Sequence, residues 1–194
     1  MRSAERAASI LEAAARVFAR SSYAATSVDD VAAEAGITKL IVYRHFNSKR
    51  ALYQAVLDHV VERLQEAHRP RPGGPPSADR AETLADVTGV MLATFGVARA
   101  WPDGFRLVFR QSAREPEFAE RADQVMASLV AGVEQLISRM PDPDFRLWMA
   151  RLVAAVTVEG MLAWLDVGDP AKDPEMAERL ALPISGLVSS QRRD

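Results

Sequence analysis

The chain has 194 residues, of which 48% are hydrophobic and 26% are charged, with a net charge of -2 and no cysteine. This composition excludes an intrinsically disordered chain, and the lack of cysteine excludes disulfides, thiol catalysis and cysteine-based zinc sites. We expect a globular cytoplasmic protein, because no apolar run approaches the 18 or more residues of a membrane span and no signal peptide opens the chain.

The first predicted helix spans residues 3–20. Its apolar side chains recur at helical spacing, and they are Ile10, Leu11, Ala14, Val17 and Phe18. Acids and bases are mixed on the opposite face, which favours a helix that packs on the protein core over one that lies on a membrane. Ser21 and Ser22 end this helix before Tyr23, whose ring we expect in the core.

Two short helices follow and meet across a tight turn. The first begins at Thr26 and Ser27, residue types that cap helix N-termini, and it ends near Gly36, which tolerates the positive φ of a C-cap. Thr38 can cap the second helix, whose inward residues are Ile41, Val42 and Phe46. A glycine-containing turn between two helices indicates a helix-turn-helix, whose second helix enters the DNA major groove.

Positive charge is concentrated at the second of these helices. Between Gly36 and Arg50 the basic residues are Lys39, Arg44, Lys49 and Arg50, with His45 beside them and no acid. Residues 1–60 hold eight Lys and Arg against six Asp and Glu, whereas residues 61–194 hold sixteen against twenty. The basic end of the chain is therefore the end that we expect to attract a polyanion.

The same stretch carries a recognisable motif. Gly36-Ile37-Thr38-Lys39, Val42-Tyr43-Arg44-His45-Phe46, Ser48-Lys49 and Leu52 resemble the DNA-binding signature of TetR-type (tetracycline-repressor-like) transcriptional regulators, over roughly residues 7–57. The resemblance implies an all-α fold with a three-helix helix-turn-helix head over residues 1–50. A long helix then leads into a regulatory, ligand-binding and dimerisation body over residues 51–194. It implies DNA contacts for Thr26, Ser27, Thr38, Lys39, Tyr43, Arg44 and Lys49. From their place in the same segment, Leu40 and His45 join the predicted DNA-contacting residues.

Two residues depart from the family pattern. Leu40 and Ile41 stand where the family usually has Gly or a small polar residue followed by Ser or Thr. A hydroxyl-to-phosphate bond at position 41 is therefore not expected. Leu40 either touches a thymine methyl group or covers the helix, and the sequence leaves both readings open.

The remainder of the chain reads as a long helix, a linker and a helical body. The long helix spans residues 48–68 and connects the body to the head, so that a movement of the body can displace the DNA-reading helices. Residues 69–76 are rich in Pro and Gly and predict a linker. The body helices are predicted over residues 78–98, 103–114, 117–140, 144–167 and 174–190.

Catalytic and metal-binding patterns are missing from the sequence. It contains no P-loop, GxGxxG, HExxH or GxSxG motif. Adjacent Asp29 and Asp30 lie in a first helical turn after a cap, where the helix dipole stabilises carboxylates, and this favours a structural role over catalysis. We expect neither an enzyme nor a resident metal or cofactor.

Aromatic and methionine side chains of the body suggest a pocket. Met91, Phe95, Trp101, Phe105 and Phe109 are the predicted lining of a site for a small apolar ligand, although each also suits an ordinary core. Arg106, Arg110 and Arg114 recur every four residues. They are either solvated or positioned to receive an anionic headgroup.

The last two predicted helices carry wide apolar faces. The expected homodimer interface consists of Trp148, Leu152, Val156, Gly160, Trp164, Ile184 and Leu187. The alternative is that these faces complete the core of a single chain.

The sequence thus predicts a homodimeric, ligand-responsive repressor that binds a palindromic double-stranded DNA operator and does not enter a membrane. Two other classes remain possible. A helical small-molecule-binding or interaction protein without DNA binding is disfavoured by the acid-free basic stretch, and an enzyme is disfavoured because no nucleophile and base are paired.

Overall fold

The computed structural model describes residues 3–67, 80–138 and 140–190, and every regular element in these ranges is a helix. The α-helices are α1 Ser3–Ala25, α2 Val28–Glu34, α3 Lys39–His45, α4 Lys49–Ala67, α5 Arg80–Ala100, α6 Pro102–Arg106, α7 Ala119–Leu136, α8 Pro143–Val167 and α9 Asp173–Ser190. The predicted all-α fold is confirmed. The predicted linker at residues 69–76 lies outside the described residues.

One predicted helix differs from the structure. Residues 103–114 were expected as a single helix, but α6 is followed by a π-helical turn over Leu107–Gln111 and a 3-10 turn over Ser112–Arg114. The wider π turn allows Leu107 and Val108, which are neighbours in sequence, both to be buried.

The helix α1 contains a break where the sequence suggested its end. Ser22 has φ 69° and ψ 161°, and one helical turn continues beyond it to Ala25. Such a conformation costs a residue with a Cβ about 1–3 kcal/mol, which glycine largely avoids. The backbone strain at this corner has to be offset by packing around it.

The chain forms two compact units. The first comprises residues 1–63 and 101–122, and the second comprises residues 64–100 and 123–194. The buried side chains of the first unit include Ile10, Phe18, Val31, Val42, Leu52, Tyr53, Val56 and Phe105. The functional boundary expected at residue 50 stays a prediction. The first unit is larger than the predicted head because it also includes residues 51–63 and 101–122.

Helices α5 and α9 pack against each other in the second unit. Ala98 on α5 and Ala177 and Ala181 on α9 are all fully buried, and such small side chains let two helix backbones approach closely. A separate cluster joins α7 to α8 through Val130 and Ala150.

A carboxylate connects three elements of the second unit. Asp173 accepts from Arg99 Nε at 3.0 Å and Nη2 at 2.9 Å, and from the Trp164 indole N–H at 2.7 Å. The hydrogen bonds from Arg99 hold the pKa of Asp173 below its usual value. Gly168 lies against the Trp164 ring so closely that a Cβ at this position would overlap it.

The helix α8 is long enough and apolar enough to cross a membrane by length and composition alone, with about a third of its most apolar window buried. Arg151 and Glu159 interrupt that window, and both are exposed. Buried core helices pass the same test, so length and composition do not identify the surroundings of α8.

Candidate functional site

The helix α2 begins with a reciprocal pair of hydrogen bonds. The Asp30 N–H donates to Ser27 Oγ at 3.2 Å, and the Ser27 N–H donates to Asp30 Oδ2 at 2.8 Å. This capping box confirms the helix start expected at Ser27 and keeps the pKa of Asp30 below its usual value through hydrogen bonds from Ser27. It also occupies the Ser27 hydroxyl, which donates to Asp30 Oδ2 at 2.7 Å.

The turn between α2 and α3 depends on Gly36. Its φ is 63°, as expected for a left-handed residue after a helix. The Ile37 N–H then donates to Ala32 O at 3.0 Å, which closes the end of α2 and redirects the chain. Thr38 is the N-cap residue of α3, but its side chain makes no capping hydrogen bond.

The helix α3 has one buried side and one exposed side. Val42 is buried in the first unit, and Ile41 is half-buried. The exposed side carries Lys39, Leu40, Tyr43 and Arg44, which are four of the predicted DNA-contacting residues. Residues 40, 43 and 44 are separated by three and four positions and therefore share a face.

An ion pair joins this exposed side to α2. Lys39 Nζ lies 2.6 Å from Asp29 Oδ2, and the hydrogen bond from this ammonium to Asp29 raises the pKa of Lys39. Both side chains are largely exposed. Solvent screens a pair as exposed as this one, so another anion can replace Asp29 at little cost.

Lys49 has an intramolecular role that the sequence did not reveal. Its Nζ donates to Tyr23 O at 2.9 Å and to Thr26 O at 3.0 Å, and it lies 4.4 Å from the centre of the Tyr23 ring. The DNA contact that the family resemblance implies for Lys49 stays a prediction. In this structure the ammonium fastens the start of α4 to the segment before α2.

Thr26 and His45 are less accessible than the rest of the predicted set. Thr26 is buried, and its hydroxyl donates to Ser22 O at 2.8 Å. His45 is half-buried, with its ring 6.4 Å from that of Phe46. Their DNA contacts remain predictions, whereas their positions indicate roles in supporting the two helices.

The predicted pocket residues are divided between the two units. Met91 and Phe95 belong to the second unit, and Trp101, Phe105 and Phe109 belong to the first. Phe105 is buried and packs against Phe109 with ring centres 4.7 Å apart, as in an ordinary core. The pocket remains a prediction.

The three predicted arginines differ in their surroundings. Arg106 Nη1 lies 3.5 Å from Asp103 Oδ1, and Arg114 is exposed. Anion binding by these arginines remains a prediction.

The predicted interface residues also divide into two groups. Trp148, Leu152 and Val156 are 55%, 44% and 59% exposed. Gly160, Trp164 and Ile184 face neighbours in their own unit, since a Cβ on Gly160 would meet Leu180 at 3.1 Å, Trp164 donates to a carboxylate and Ile184 is buried. The side chain of Leu187 lies outside the described residues.

Some contacts around the helix-turn-helix join residues that are distant in sequence. Glu34 pairs with Arg16 at 2.8 Å and with Arg20 at 2.6 Å, which ties α2 to α1. The Tyr23 N–H donates to Glu115 Oε1 at 3.0 Å, and Gln111 Nε2 donates to Ala19 O at 3.0 Å. Residues 111–115 thereby hold the end of α1, a link that no local pattern indicates.

Residues 10–56 match the model of a family described as "Bacterial regulatory proteins, tetR family". The HTH-type transcriptional activator FasR of Mycolicibacterium smegmatis is 30% identical over 193 residues, which covers 94% of this chain and 83% of FasR. The HTH-type transcriptional repressor Rv3405c of Mycobacterium tuberculosis is 39% identical over 122 residues, which covers 62% of this chain and 59% of the repressor.

Solved structures share the fold. A TetR-like transcriptional regulator from Rhodococcus sp. RHA1 superposes with a TM-score of 0.72 at 22% identity, covering 94% of this chain and 96% of its own. AibR, solved in complex with isovaleryl coenzyme A and operator DNA, superposes with a TM-score of 0.65 at 19% identity, covering 91% and 96%.

Proposed function

We propose that this chain, which belongs to the tetR family of bacterial regulatory proteins, represses transcription as a homodimer bound to a palindromic operator. The chain is a helix-turn-helix transcriptional regulator and not an enzyme. Repression, dimerisation and ligand response are the parts that we propose. Because bacterial operators lie in the cytoplasm, we place the protein there.

The exposed side of α3 carries the DNA-binding proposal. Lys39, Tyr43 and Arg44 project from it, and the segment from Gly36 to Arg50 contains no acid. Arg and Lys side chains read base edges in the major groove, while hydroxyl groups and cations hold phosphates. We assign Lys39 and Arg44 to base edges or phosphates, and Thr38 and Tyr43 to phosphates.

The test is operator binding by the double variant Lys39→Ala/Arg44→Ala, measured by fluorescence anisotropy at several salt concentrations. Each lost bidentate base contact weakens discrimination by about 1–3 kcal/mol, and each lost phosphate contact reduces the salt slope by about one. The matched control is Arg151→Ala/Arg179→Ala, which removes two exposed charges from the second unit. Equal binding by the two double variants would remove the DNA assignment from α3.

The exposed apolar face of α8 supports the homodimer. Its members are separated by about one helical turn or by about three turns, which places them on one side of α8. They are Phe145, Trp148, Leu152, Val156 and Val167. The Phe145 and Trp148 rings are stacked with centres 5.5 Å apart. The apolar face is continuous from Phe145 to Val156, whereas Val167 lies about three turns further on, beyond the exposed Glu159. An exposed apolar face of this kind indicates a binding surface, and a second copy of the chain covers it in the dimer that we propose.

Sedimentation velocity tests the dimer. We expect Trp148→Glu to sediment as a monomer at micromolar concentration, because the interface cannot bury an unpaired carboxylate cheaply. Leu92→Glu, on α5, is the control because Leu92 is also exposed, at 40%. A Trp148→Glu protein that remains dimeric would move the interface elsewhere.

Ligand response is proposed to act through residues 101–122 of the first unit. Gln111 and Glu115 hold the end of α1, and Tyr23 carries both the Glu115 bond and the Lys49 contacts. A ligand that displaces residues 111–115 would therefore alter the segment that enters α2. The AibR complex makes isovaleryl coenzyme A a suitable first probe, since its acyl chain is small and apolar.

The corresponding test compares operator affinity with and without isovaleryl coenzyme A. Coupling of about 1–3 kcal/mol is expected, and operator must weaken the thioester by the same factor. Gln111→Ala should reduce the coupling while both ligands still bind. A thioester affinity that is unchanged by operator would argue against signalling by this compound.

Activation is the second candidate, because the activator FasR aligns with 94% of this chain. Transcript levels in a deletion strain distinguish the two signs of regulation. Target transcripts rise after loss of a repressor and fall after loss of an activator.

A further inference from the structure

We propose that Leu40 is a specificity-determining residue that contacts the 5-methyl group of one thymine in each operator half-site. The inference rests on the proposed function, because it requires α3 to enter the major groove. It assigns a definite base preference to a position where this chain departs from the family pattern.

The position of Leu40 on α3 directs it away from the protein core. Val42 is 1% exposed and Ile41 is half-buried, so these residues fasten α3 to the first unit. Leu40 is 64% exposed and shares its face with Tyr43 and Arg44. The packing of α3 therefore does not use the Leu40 side chain.

Exposure alone does not make a leucine functional, since single exposed apolar residues are common on protein surfaces. Leu40 differs because of its neighbours. It lies on the short helix that follows the Gly36 turn, next to Lys39 and within the acid-free stretch that ends at Arg50. This is the surface that the proposed function brings into contact with base edges.

The chemistry of the leucine side chain selects the base. Leucine has no donor or acceptor, so it cannot pair with the polar groups of the groove. The thymine 5-methyl group is the apolar group that a base pair presents there, and apolar side chains contact it. Cytosine carries only a hydrogen at C5, so a cytosine at this position offers Leu40 no methyl group to contact.

The neighbouring ion pair leaves room for this contact. Lys39 Nζ is held 2.6 Å from Asp29 on α2, while Leu40 is directed to solvent with Tyr43 and Arg44. In the proposed complex Leu40 thus enters the groove between Lys39 and Arg44, and it does not compete with Lys39 for Asp29.

The experiment replaces each operator thymine singly with deoxyuridine, which lacks only the 5-methyl group. When deoxyuridine replaces the contacted thymine in one half-site, wild-type protein should bind about fourfold more weakly, the fold-change expected for burying one methyl group. When both half-sites carry the replacement, binding should weaken about fifteenfold. Leu40→Ala should bind the thymine operator more weakly and be insensitive to deoxyuridine at that position. A 5-methylcytosine at the same position should recover part of the wild-type affinity that cytosine loses.

Arg44→Ala is the matched control, since it should lose affinity and retain the deoxyuridine response. An unchanged urea midpoint for Leu40→Ala confirms that the variant is folded. If wild-type protein binds its operator but ignores every deoxyuridine, or if Leu40→Ala keeps the full response, the thymine contact is disproved. If wild-type protein binds no duplex at all, the proposed function fails, and this inference fails with it.

Discussion

Lys49 Nζ donates a hydrogen bond to the carbonyl oxygen of Thr26 at 3.0 Å, which fastens the first turn of α4 to the residue before the α2 cap. A second bond from the same ammonium to Tyr23 O closes a bridge across the corner. The ammonium of Lys49, for which the family resemblance implies a DNA contact, is thus directed into the protein. If replacing Lys49 weakens DNA binding, the cause is therefore either a loosened corner between α4 and α2 or a lost phosphate contact, and the two can be distinguished by experiment.

Lys49→Ala should lower the free energy of unfolding by about 1–2 kcal/mol, because two carbonyl groups lose a charged donor. Operator affinity should fall equally on all sequences, with an unchanged salt slope. Urea unfolding and anisotropy at several salt concentrations measure the two effects, with exposed Arg50→Ala as the control. A slope that drops by about one without loss of stability would show that Lys49 contacts phosphate after all.

Ser22→Gly should stabilise the protein by about 0.5–1 kcal/mol, since glycine relieves the strain of φ 69° but gains freedom in the unfolded chain. The lost hydroxyl contact is weak, because the Ala25 N–H lies 3.5 Å from Ser22 Oγ. Ser22→Ala keeps the Cβ and should not stabilise. Urea midpoints compare the two variants, and equal midpoints would mean that the corner is not strained.

Asp173→Asn should lower the free energy of unfolding by about 2–3 kcal/mol at pH 7, because Arg99 loses its anionic partner in a largely buried site. The pKa of Asp173 is depressed when the protein is folded, so its contribution is present above the usual value of 3.8 and is lost as the pH falls through the lower folded pKa. Urea unfolding at pH 7 and pH 3.5 measures both effects. Glu175→Gln, in an exposed pair with Arg179, should cost less than about 0.5 kcal/mol.

The stability of the protein should fall between pH 7.5 and 5.5 partly through His59. Burial lowers the pKa of His59, whose Nε2 is buried without a hydrogen-bond partner and whose ring lies 4.3 Å from that of Trp101. The unfolded state therefore binds its proton more readily, and stability is lost as the pH falls below about 6.5, by at most about 1.4 kcal/mol per pH unit. His59→Gln should flatten this pH dependence. Identical slopes for wild type and His59→Gln would exclude the contribution.

Local sequence patterns were sufficient for the helix-turn-helix itself. The Ser27 cap and the Gly36 turn depend on residues at most a few positions apart, so their hydrogen bonds and φ values follow from residue type. Body helices such as α8 and α9 were located within a few residues, because Pro143 and Pro174 mark their starts.

Long-range partners were not predictable in this way. The carboxylate of Asp173 binds Arg99, 74 positions away, and nothing near Asp173 in the sequence indicates this partner. Glu115 and Tyr23 are 92 positions apart, and nothing near either residue signals the other. The same limit applies to Ile184 and Trp164, since the apolar pattern identifies a buried face but not which helix covers it.

The exposed face of α8 also affects how promoter control depends on the cellular concentration of this regulator. In the homodimer that we propose, a second copy covers Trp148 and Val156, and the regulator would then respond to its own abundance. When most copies are monomers, the concentration of dimers varies with the square of the total, so halving the dose leaves about a quarter of the operator-competent species. A twofold difference between sister cells would then become a fourfold difference in promoter control.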